Sequence, residues 1–268
     1  MNSWLLNVGL CLGLVLMAFA LFHSNNAWLR RAGGMLLIGT SGLALWFWTQ
    51  NWIVVALGIS AWFALPVGQA VWMARRLRLP AKRKLEAGNI DEEEFSEITE
   101  FACQLRKLDF RWEGDYWLKP SPARQAYRLF THAKEPVHAA VAVVQYGMAG
   151  LMYTIFATQE QNGTVWLTWD YPLAYGLMMP PNVMTHRCLE AASVEQLYEQ
   201  HRQFISLNAV KAQPTTLPVA FFEQLFSSTI DYNLRAGLLR FSESNEINYT
   251  WRGTAFVSWQ VLRDVVGV

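Results

Sequence analysis

The sequence predicts a membrane-anchored α+β protein: an N-terminal bundle of three transmembrane helices, then a soluble domain with an antiparallel β-meander and flanking helices. Three observations predict it. Up to Ala74 the only charged residues are Arg30 and Arg31. Beyond Phe110, short aromatic and β-branched runs alternate with turn residues, as strands do. On both sides of those runs apolar residues recur at helical spacing.

The first helix covers residues 4–22, without a charge. At 1.5 Å per residue it is about 28 Å long, close to the roughly 30 Å hydrocarbon thickness of a bilayer. Ala18-Phe19-Ala20 resembles a signal-peptide cleavage site, but Met1-Asn2-Ser3 lacks the basic start of a signal peptide, so a retained span is expected. The second and third spans are expected over residues 33–48 and 52–73, separated by the uncharged Thr49-Gln50-Asn51. Pro66 should kink the third.

Charge sets the orientation. Eight basic residues and no acidic one precede Leu85, so the total of +1 leaves −7 for the remainder. Three spans put Arg30 and Arg31 on the same side as the cluster Arg75, Arg76, Arg78, Lys82, Arg83 and Lys84. By the positive-inside rule the amino terminus is outside an inner membrane, and the C-terminal domain is cytoplasmic. Trp4, Trp46, Trp48 and Trp52 would mark the outer boundary, and Trp28 and Trp72 the inner one. No ionisable side chain lies within a span, which argues against a transporter. Gly9 and Gly13, and the ladder Ala56, Ser60, Ala64 and Gly68, are small-residue faces suited to close helix packing, within the chain or between chains.

Residues 75–90 read as a basic juxtamembrane linker and 91–268 as the soluble domain. Asp91 and Glu94 suggest a capping box for a helix over residues 92–107. Strands are expected over 110–119, 126–133, 137–146, 151–158 and 164–170, with Asn162-Gly163 as a hairpin turn and 137–146 as a central strand. A helix follows from Val194, and another from Pro218 to about Arg235, with Gly237 at its C-cap. Strands over 238–242 and 247–251 precede a last helix capped by Thr254.

The chemistry-bearing residues are sparse. The segment 171–191 lacks periodicity, holds three prolines, and carries Tyr175, Met178, Met179 and Met184, so it reads as a binding loop or as a drape over the sheet. Trp117, Trp251 and Arg252 lie in mixed aromatic–charged runs of the kind enriched in interfaces. Cys188 and His201 are the candidates for a thiol–imidazole pair. With His186 they lack a fourth ligand at zinc spacing, and three scattered cysteines form no metal knuckle. An acidic domain is a poor partner for nucleic acid. No cofactor is expected, and membrane lipid is the first partner, with a protein partner or self-association through the spans as the second. The function expected is therefore a non-enzymatic recognition, scaffold or accessory-subunit module. The alternatives are an oligomeric membrane effector gated from the cytoplasm and a tethered cysteine-dependent enzyme.

Overall fold

The computed structural model describes residues 3–266 apart from 25–26, 77, 81–83, 92–94, 120–123, 147–148, 173–174, 214–216 and 243–245. Lys82, Arg83 and Glu94 therefore lie outside the described residues. By compactness the chain forms two units, one of Met1–Arg75 with Thr254–Val268, the other Arg76–Gly253.

The first unit holds helices α1 (Ser3–Phe22), α2 (Ala27–Thr49) and α3 (Trp52–Arg76). All three are long and apolar enough to cross a membrane, over Trp4–Leu21, Ala32–Thr49 and Trp52–Arg76. α2 and α3 form an antiparallel hairpin. Its turn is closed by local bonds: Gln50 takes a left-handed φ of 50°, and the Asn51 side chain accepts from the Ile53 amide at 2.9 Å. Beside the turn Trp46 and Trp52 stack with centroids 4.2 Å apart. Further along, a Cβ at Gly42 would stand 3.0 Å from Ile59, a Cβ at Gly58 would meet Leu45, and Trp62 donates to the Ser41 hydroxyl at 2.8 Å. Each of these two glycines makes room for a side chain of the facing helix.

The second unit is built on a seven-stranded sheet. Its strands are β2 (Lys84–Ala87), β3 (Phe110–Lys119), β4 (Arg124–His132), β5 (Val137–Tyr146), β6 (Ala149–Gln159), β7 (Val165–Trp169) and β8 (Val183–Arg187), in that spatial order. From β2 to β7 every pair is antiparallel, a meander as expected. The β6–β7 turn has Gly163 at φ 84°, and the Asn162 side chain accepts from the Thr164 amide at 2.8 Å. β5 sits fourth of seven. Its Ala139, Val141 and Val143 enter one core and Ala140 and Ala142 the other, so both faces are covered.

Helices α4 (Ser96–Lys107) and α5 (Val194–Leu207) pack on one face through Ile98, Ala102, Leu105, Val194 and Leu197. Helix α6 (Pro218–Arg235) packs on the other through Phe221, Phe222 and Leu225. The helices thus cover both faces of the sheet. Pro218 opens α6, and Gly237 (φ 71°) closes it, with Leu238 N–H donating to Asn233 O and Gly237 N–H to Leu234 O. A small sheet joins β1 (Leu79–Pro80), β10 (Glu246–Tyr249) and β9 (Leu239–Phe241), with β10 in the middle.

Four expectations are corrected. Residues 75–90 contain two strands, β1 and β2, because each finds an antiparallel partner far along the chain. The segment 171–191 contains β8, which runs parallel to β7. Helix α4 starts at Ser96 with Phe95 at its N-cap and no side-chain cap, so Asp91 does not cap it. Helix α7 (Trp251–Val266) begins before Thr254: the Thr250 hydroxyl accepts from the Gly253 amide at 3.1 Å, and Thr254 is buried.

Candidate functional site

Residues 171–172 and 175–179 lie over the α6 face of the sheet and are tied down there. The buried Asn233 of α6 holds the backbone of Met178 at both groups, donating to its carbonyl at 2.7 Å and accepting from its amide at 2.9 Å. Tyr249 donates to Gly176 O at 3.0 Å. Arg187 reaches back from β8 to donate to Tyr171 O at 2.9 Å and Pro172 O at 3.0 Å. Tyr175 packs on Trp169 with ring centroids 4.9 Å apart, and Met179 and Tyr171 join the same core. Beneath them Tyr153 is so deeply buried that its hydroxyl is held well above its ordinary pKa. An aromatic cluster of Tyr127, Tyr153, Trp169, Tyr171 and Tyr175 thus fills this end of the core. Sequence reading missed it because its members come from four separate segments.

Beyond Pro180 the chain becomes the terminal strand β8. Met184 is 43% exposed and Leu189, just after the strand, 54%. His186 lies on the α5 face against Phe204, with centroids 5.3 Å apart, and Phe204 also meets Trp166 edge-on at 5.1 Å. Among the described residues of segment 171–191 exposure concentrates in the second half, Pro172 being the exception.

His201 is fully buried under α5. Its Nε2 is 3.0 Å from the Thr158 hydroxyl and its Nδ1 2.9 Å from that of Thr168. Burial, followed by the nearby His186, holds its imidazole down at about 3. With both nitrogens engaged by threonines, it has no lone pair to offer Cys188. The Cys188 thiol is pushed up to about 11 by burial and then by the charge of Asp170, so it lacks the lowered pKa of a reactive thiolate. Asp170 is itself raised by burial and accepts from the Thr154 amide. All three cysteines are free, and no cluster of His, Cys, Asp and Glu able to hold a metal occurs among the described residues.

The remaining sites are scattered. Trp117 on β3 is half-buried, donates to Asn89 O at 3.1 Å and lies under the Arg124 guanidinium, 5.2 Å from its ring centre. Nearby a bulge at Trp112–Gly114 turns Asp115 inward, where Arg128 meets it with two bonds of 2.8 Å. Trp251 and Arg252 are exposed at the start of α7. Gly9, Gly13, Ala56, Ser60, Ala64 and Gly68 all face outward, and a Cβ at any of the three glycines would enter open space. No family model, curated protein or solved structure matches the chain.

Proposed function

We propose that this is a non-enzymatic protein of an inner membrane whose α+β unit is a recognition, scaffold or accessory-subunit module, tethered by α1, α2 and α3. The observation that carries the tether is the α2–α3 hairpin. Its closed end is the uncharged turn Thr49–Asn51, while Arg30 and Arg31 on one arm and Arg75 and Arg76 on the other are at its open end. Arginines are retained on the cytoplasmic side during insertion, so the open end is cytoplasmic and the α+β unit with it. Support for recognition comes from β8. A terminal strand with outward Met184 and Thr185 is the kind of edge to which an extended peptide adds as a further strand.

The experiment is a pair of reporter fusions. One after Val268 should behave as cytoplasmic and one inserted at Gln50 as external. A C-terminal fusion active outside the cytoplasm overturns the reading. The outward small-residue faces favour a second reading, in which several copies assemble through α1 and α3 as a membrane effector. A monomeric mass in mild detergent would refute it.

A further inference from the structure

Helix α7 has an outer face unlike that of a water-soluble helix. Among its described residues the exposed ones are Trp251, Arg252, Ala255, Trp259 and Arg263. At 100° per residue they fall in one arc about 120° wide. The arc is aromatic and cationic: Trp251 is 80% exposed, Trp259 60%, and Arg252 and Arg263 line one edge of it. The opposite face, with Thr254, Val257 and Val261, is partly or fully covered. In water, two uncovered indoles on one helix are unfavourable and call for an occupant.

From Thr254 onward α7 belongs to the same compact unit as the three apolar helices. That unit is otherwise made of helices long and apolar enough to cross a membrane, so lipid is the solvent its outward faces would meet. Indole rings with an apolar body and one N–H settle at the boundary of headgroup and acyl chain, and arginine pairs with lipid phosphate. We propose that α7 is an interfacial helix, lying in the cytoplasmic leaflet with Trp251, Ala255 and Trp259 at the headgroup–acyl boundary and Arg252 and Arg263 on phosphates. This rests on the reading that α1, α2 and α3 span a bilayer.

The test uses the full chain with Cys11, Cys103 and Cys188 replaced by serine, in vesicles of phosphatidylcholine and phosphatidylglycerol. An environment-sensitive fluorophore is placed on Ala255→Cys, which leaves both tryptophans in place, and in separate proteins on Leu65→Cys of α3 and Arg202→Cys of α5. The label at 255 should be blue-shifted and quenched more by lipid brominated near the headgroup than near the chain ends. The label at 65 should show the reverse order, and the label at 202 neither effect. A water-exposed, unquenched label at 255 beside a quenched label at 65 overturns the interfacial helix while the spans stand. A label at 255 shielded from aqueous iodide yet unreached by brominated lipid overturns it too, because its cover is then protein. Loss of quenching at both 65 and 255 brings down the membrane reading itself.

Discussion

Acidification should destabilise the α+β unit through His201. Its folded-state value of about 3 lies below its ordinary 6.5, so the native imidazole stays neutral where the unfolded one takes a proton. Stability from this residue is complete above the ordinary value and is lost as pH falls toward the folded one. At about pH 5 the unfolded imidazole is protonated and the native one is not, which costs about 2 kcal/mol relative to about pH 8. Asp170, whose carboxyl is raised by burial, shifts stability in the opposite direction and must be subtracted. Comparison with His201→Gln does so, because glutamine bonds to the same threonines without titrating. Urea unfolding of the full chain in mild detergent, followed by fluorescence at both pH values, reads the difference. Wild type should lose about 2 kcal/mol more than the variant on acidification. Equal losses would show that His201 takes its proton in the folded state and is not sealed between Thr158 and Thr168.

Arg128→Met or Asp115→Leu alone should cost about 3–5 kcal/mol in urea unfolding, because each strands a buried charge. The double variant should cost much less, and additive losses would argue against a coupled pair. Asn233→Ala removes the partners of both Met178 backbone groups and should cost about 2–4 kcal/mol. Hydrogen exchange should then quicken around residues 175–179, and unchanged protection there would refute the tie. Gly42→Leu should lower the melting temperature by wedging α2 from α3, whereas Gly68→Leu, facing open space, should leave it unchanged in a monomer. Equal tolerance of both would mean that the hairpin does not pack at Gly42.

What was legible in the sequence follows the strength of local signals. Strands β3 and β5 and helix α6 end where periodicity and end-residues place them, since aromatic and β-branched runs and the Pro218–Gly237 pair act within a few residues. The edge strand β8 was not legible. Val183-Met184-Thr185-His186-Arg187 has weak β character, and it is a strand because β7 offers a free edge. The same holds for the two residues of β1. At the last helix, Thr250 and Thr254 are equivalent by sequence, and only the bonds of Thr250 to Gly237 O, Leu238 O and Gly253 N decide between them. The contact glycines of α2 and α3 were missed because each is single, while the repeating small residues that drew notice face away. The ordering of His201 was not legible, because the two threonines that hold it come from different strands.

The α+β unit is nested. The chain leaves the first unit at Arg75 and returns to it at Thr254. Ribosomal order then imposes a sequence on assembly. The apolar helices emerge first, the sheet and its helices can complete themselves next, and the first unit closes only when its last helix leaves the exit tunnel. A truncation before Thr254 would therefore leave the inner unit's residues whole and take its loss from the outer unit alone.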